Sequence, residues 1–111
     1  MEIDKKTKEK INDLQLMEQK LQHFLMQKQT IQVQSMEIDN ALTELKKGDG
    51  NVYKIVGNVM LESNRKDLTK ELEEKKQVLD LRMKNLEKQE QKIKKQATEL
   101  QQEIIKAMNK E

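Results

Sequence analysis

Residues 47–63, KGDGNVYKIVGNVMLES, break two long charged segments with the one cluster of β-branched residues in the chain. That break limits the possible folds more than any other feature. It holds all three glycines, Gly48, Gly50 and Gly57, and the single tyrosine, Tyr53. Val52, Tyr53, Ile55, Val56 and Val59 fall close together, a composition that favours a pleated, half-buried strand over a helix. Gly57-Asn58 sits between two short apolar runs, and both residues tolerate the positive φ of a two-residue hairpin turn. The flanking segments contain no proline and read as helices. The expected fold is mainly α, a single domain over residues 1–111. It comprises a helix over about 4–47, a β-hairpin over about 51–63 and a helix over about 65–109.

Composition narrows the choice further. With 38% charged and 2% aromatic residues, the chain has too little bulky apolar surface to build a thick core. Extended helices or disorder remain, and periodicity decides between them. The absence of cysteine rules out a disulfide framework and a thiolate metal site, and agrees with a reducing, cytoplasmic setting. No apolar run is long enough to span a bilayer, and no signal-peptide core follows Met1, so no membrane partner is expected. The 22 basic and 20 acidic residues are interspersed, and Arg65 and Arg82 are the only arginines. This pattern lacks the basic stripe of a nucleic-acid binder.

In the first arm a heptad places Leu14, Leu21, Lys28, Ser35 and Leu42 at a, with Met17, Phe24, Ile31, Ile38 and Leu45 at d. A seam this long is a coiled-coil signal. Asp4 at the start and Lys46-Lys47 at the end match the helix dipole, and Gly48 is expected to stop the helix at C′. In the second arm d falls at Leu72, Leu79, Leu86, Ile93, Leu100 and Ala107, and a at Lys76, Met83, Glu90, Ala97 and Ile104. Asn64 or Ser63 is expected to cap it. Folding one arm back on the other opposes Leu42 to Leu72, Ile31 to Met83, Leu21 to Ile93 and Leu14 to Leu100. Every a then meets a d, and Lys28 comes within one turn of Glu90. A parallel homodimer would instead oppose Lys28 to Lys28. The antiparallel intramolecular pairing is therefore expected, with each arm roughly 65–70 Å long. His23, at position c, faces solvent.

A two-stranded ribbon is marginal in water and leaves both edges unpaired. Hairpins from several chains joining in a larger sheet or barrel would satisfy those edges. Val52, Tyr53, Ile55, Val56, Gly57, Val59 and Leu61 are the expected assembly residues.

The order helix, single hairpin, helix, with Val52-Tyr53-Lys54-Ile55-Val56-Gly57 at its centre and Leu86-Glu87-Lys88-Gln89-Glu90 in the second helix, resembles the prefoldin family. The likeness is to β subunits of the archaeal type and to the β class of the eukaryotic complex. It implies a hexamer of two α and four β subunits around paired β-barrels. It also implies coiled coils whose tips hold unfolded polypeptide and pass it to a group II chaperonin. The α class carries two hairpins between its helices, and this chain has room for one.

Candidate client-binding residues are the apolar side chains near the open end: Ile3, Ile11, Leu14, Leu16, Met17, Leu100, Ile104, Ile105 and Met108. The seam accounts for Leu14, Met17, Leu100 and Ile104. It leaves Ile11, Leu16 and Ile105 unplaced. With Thr7 and Lys10 at weak seam positions, this end is expected to fray and expose its core side. No HExxH, phosphate-binding loop, GxSxG or cysteine is present. No catalytic residue, cofactor or metal site is expected, and the chain reads as an ATP-independent holdase subunit and not an enzyme. The competing expectation is a purely structural coiled coil, a scaffold or filament component. It gives no reason for a hairpin followed by a register-matched return helix.

Overall fold

The computed structural model describes residues 4–109. Its elements run α1 (Lys5–Lys47), β1 (Val52–Val56), β2 (Val59–Ser63) and α2 (Arg65–Asn109). The described chain divides into two compact units. One comprises residues 4–28 with 84–109, and the other residues 29–83.

Both helix starts are capped by the residue just before them. Asp4 Oδ1 accepts the Thr7 N–H at 2.7 Å and the Asp4 carbonyl accepts the Lys8 N–H at 3.1 Å. These bonds satisfy donors that the first turn leaves open. The Thr7 backbone bond first, then the Thr7 side chain and nearby Lys10 and Lys6, hold the Asp4 carboxyl below its ordinary pKa. At α2 the cap is Asn64 and not Ser63, with Asn64 Oδ1 accepting from the N–H of Lys66 at 2.8 Å and of Asp67 at 3.4 Å.

The first unit is an antiparallel helix pair. Lys28 Nζ donates to Glu90 Oε1 at 3.0 Å, and Lys10 lies 3.4 Å from Glu103, so the early part of α1 meets the late part of α2. Lys20, His23 and Phe24 share a groove with Gln89, Lys92 and Ile93, which is the expected register. Within this unit Leu14, Met17, Leu21, Phe24 and Lys28 are half-buried, as are Leu86, Ile93, Ala97, Leu100 and Ala107, while Glu90 and Ile104 are buried. His23 is exposed, as its position c requires.

The second unit continues the pattern and adds the hairpin. Ile31, Leu45 and Leu79 are buried, and Ser35, Ile38, Leu42, Leu72, Lys76 and Met83 are half-buried. Lys76 pairs with Asp39, which raises the pKa of the lysine chiefly through their hydrogen bond. The strands are antiparallel, pairing Val52 with Ser63, Tyr53 with Glu62, Lys54 with Leu61, Ile55 with Met60 and Val56 with Val59. Gly57 has φ +61°, and among the described residues no other position has positive φ. Positive φ at the first turn residue alone is the signature of a type II′ turn, so Asn58 contributes no left-handed geometry. Gly48 is a second correction. It does not take the left-handed cap conformation expected at C′, because a side chain from α2, described below, accepts the task of pairing the open carbonyls of α1.

The Lys28–Glu90 pair is the strongest check on register. The Lys28 hydrogen bond first, then the charges of Lys28 and Lys94, hold the Glu90 carboxyl below its ordinary value of 4.5, against the upward pull of burial. A double-mutant cycle with Lys28→Met and Glu90→Met should return a coupling of about 1 kcal/mol, and no coupling would contradict the pairing. Because the folded pKa is depressed, the stabilisation is complete above the unfolded carboxyl value and disappears as pH falls through the folded one. Denaturation from about pH 5 downward should therefore weaken the wild type more steeply than Glu90→Gln.

Candidate functional site

Two surfaces emerge from the residues expected to bind something, and they differ in kind. The first is the hairpin. Alternation along the strands puts Tyr53, Ile55, Met60 and Glu62 on one face, and Val52, Lys54, Val56, Val59, Leu61 and Ser63 on the other. The second face approaches the helices, since Lys54 Nζ lies 3.6 Å from Glu71 and Val52, Lys54 and Ser63 are half-buried. Even so, Val56, Val59 and Leu61 remain exposed. On the first face Ile55 is 69% exposed, Met60 65% and Tyr53 52%. Both faces are thus apolar and wet, and among the described residues β1 and β2 pair only with each other. A ribbon in this state carries unpaired backbone groups along both edges. Met60 belongs to this surface and was missed by sequence reasoning, although its alternation with Val59 and Leu61 contains the signal.

The second surface lies near the outer end of the first unit. Leu16 is 50% exposed and Ile105 51%, and Met108 is also exposed. Ile11, Leu14, Met17 and Leu100 are half-buried. Ile3 lies outside the described residues. The expected fraying is not seen. Thr7 is 4% exposed and Ile104 7%, so the seam is closed at this end. Small, branched Thr7 fits the narrow interior with its N–H already satisfied by Asp4. Lys10, half-buried, sends its ammonium to Glu103. Ile104 therefore has little surface to offer a partner, and the exposed apolar groups here are the off-seam ones. Further exposed apolar residues, Leu25, Met26, Val33, Met36, Val78 and Leu81, lie at off-seam heptad positions elsewhere on the two helices.

Among the described residues no group of three or more His, Asp or Glu side chains is placed to hold a metal ion, and no helix is long and apolar enough to cross a membrane. The perturbed groups, Asp4, Lys76 and Glu90, each owe their shifts to a cap or an ion pair.

Comparison with known proteins gives a consistent family. The sequence model of the prefoldin subunit family matches residues 8–111. The chain is 35% identical over 96 residues to the prefoldin subunit beta of Archaeoglobus fulgidus, covering 85% of this chain and 83% of that one. It is 35% identical over 102 residues to the prefoldin subunit beta of Pyrobaculum islandicum, covering 90% and 82%. The crystal structure of the prefoldin beta subunit from Thermococcus strain KS-1 superposes with a TM-score of 0.87 at 31% identity, over 96% of this chain and 95% of that one.

Closure of the seam at Thr7 and Ile104 separates residues that hold the helices together from residues that are free to bind. Ile104→Ala should lower the stability of the helix pair by at least about 2 kcal/mol in urea denaturation. Its neighbour Ile105→Ala should stay within about 0.5 kcal/mol of wild type. Equal losses would contradict the burial pattern.

Proposed function

This chain belongs to the prefoldin subunit family, a family of chaperone components, and from that premise we propose that it is the β-type subunit of an ATP-independent holdase. In this proposal four copies join two α-type subunits in a hexamer whose hairpins form a shared β-barrel base. The observation that carries it is the ribbon itself, with six exposed apolar side chains, Tyr53, Ile55, Val56, Val59, Met60 and Leu61, and no strand beyond its own two. Pairing each edge with a neighbour's hairpin satisfies the backbone, and closing the ring removes the edges altogether.

Client capture is assigned to the outer ends of the helix pairs, with Leu16, Ile105 and Met108 supplying the contact and the half-buried Ile11, Leu14, Met17 and Leu100 its margins. Each such side chain contributes roughly 1.5–3 kcal/mol on full burial, and less on partial burial. One end alone therefore holds an unfolded chain weakly. Several ends on one assembly hold it by avidity and release it segment by segment, without nucleotide hydrolysis. Methionine suits this surface because its flexible thioether adapts to varied partners. The recipient of the client is a group II chaperonin, the setting is cytoplasmic, and no step is enzymatic.

The two halves of the proposal are separable by mutation. Ile55→Asp with Val56→Asp should preserve helicity and abolish incorporation into a complex with an α-type partner in native mass spectrometry. Full incorporation would remove the hairpin from the account. Leu16→Ser, Ile105→Ser and Met108→Ser together should leave the mass of the complex unchanged while client aggregation is no longer suppressed. If that triple variant protects clients as well as wild type, the capture surface lies elsewhere.

A further inference from the structure

We propose that Arg65 is the positioning residue that sets the direction in which the assembly hairpin leaves the helices, an inference that rests on the hairpin being the assembly element. Arg65 is the first residue of α2, yet its side chain serves the end of α1 and the link that follows it. Its Nη1 donates to the Leu45 carbonyl in the last turn of α1, and its Nη2 donates to the Gly50 carbonyl at 2.8 Å. Gly50 stands two residues before β1, and Ser63, the last residue of β2, stands two residues before Arg65. One guanidinium therefore ties the outgoing stem of the hairpin, the incoming stem and the terminus of α1 to a common point.

The surroundings are fitted to this bracket. The last carbonyls of a helix need partners from outside it. At the end of α1 the Gly48 N–H reaches the Glu44 carbonyl at 3.3 Å, and the next carbonyl, that of Leu45, goes to Arg65. Gly48 has no left-handed φ, and the guanidinium packs against it at ordinary van der Waals distance, 3.4 Å from where a Cβ would stand to Arg65 Nη2. A planar fork that spans two carbonyls in fixed directions is a property of arginine that lysine does not share. The Lys54–Glu71 pair on the hairpin, 3.6 Å apart and only half-buried, is a looser second tether.

Direction matters because strand pairing demands donor–acceptor distances near 3 Å along an entire edge. A closed ring of hairpins accepts only one angle between hairpin and helix. A hairpin that swings must be immobilised at each association step, whereas one held in place beforehand is not penalised in this way.

The test uses Arg65→Leu, which removes the guanidinium and leaves an apolar side chain, and Arg65→Lys, which keeps the charge without the fork. Spin labels at Asn58→Cys and Glu74→Cys report the hairpin's direction in the full, unassembled chain. Wild type should give one narrow distance distribution, and both variants a broad one, with helix content at low temperature retained. Titration with an α-type partner should show the assembly midpoint rising by about tenfold or more in both variants. A wild-type midpoint or an equally narrow distribution in Arg65→Leu overturns the proposal. So does full recovery by Arg65→Lys, since charge alone would then suffice; Arg65→Lys also decides the matter if the leucine variant does not fold. The Ile55→Asp, Val56→Asp chain is measured alongside. Should that chain assemble normally, the hairpin reading itself falls; should it fail while Arg65→Leu assembles at the wild-type midpoint, only the role of Arg65 is lost.

Discussion

The seam between the two helices is one side chain deep, and the rest of the chain depends on that thinness. Among the described residues no side chain is fully buried, and the apolar ones most nearly so are Ile31, Leu45, Leu79 and Ile104. Dispersion and burial spread over so narrow a strip stabilise a helix pair only when both helices keep one register along their length. Lys28 and Glu90 enforce that register from inside. Both sit at seam positions, and a slip by a heptad would leave an ammonium and a carboxylate each facing apolar neighbours. Such unpaired charges are far more costly than the pair is beneficial. The ion pair is therefore a specificity device first and a source of stability second.

A chain with all its burial committed to one seam has none left to cover a ribbon. This is why Ile55 and Met60 remain wet while Ile104 and Thr7 do not. The same shortage divides the apolar residues into two populations. Those at a and d are used up within the chain, and those on the ribbon and at off-seam positions stay available for other molecules. Arg65 adds a third element, a polar contact that spends no apolar surface and still orients the ribbon through backbone carbonyls.

Most of the architecture was legible because it is periodic. A 3.5-residue repeat is visible in residue types alone, so the seam and its antiparallel register could be written down from Leu14, Met17, Leu21 and their counterparts. The Lys28–Glu90 contact was legible for the same reason, since a charge at a seam position needs an answer. What escaped was not periodic. Closure of the seam at Thr7 goes with a cap from Asp4 and a pair between Lys10 and Glu103, neither of which residue type dictates. The helix end at Gly48 looked like a left-handed cap because glycine usually means one there. What happens there is a tertiary contact, the guanidinium of Arg65 pairing the Leu45 carbonyl. The candidate capture residues mixed seam positions with off-seam ones because the end was expected to fray, and only burial shows that Ile104 is closed off while Ile105 is exposed.

The central claim is that the ribbon assembles the complex and the off-seam apolar ends capture the client. Site-specific photo-crosslinking inside the assembled complex, in the presence of a denatured client, tests it most directly. Probes placed at Leu16 and Ile105 should each trap client, and a probe at Ile55 should trap neighbouring subunits and no client. Client trapped at Ile55, with none at Leu16 or Ile105, would contradict the account.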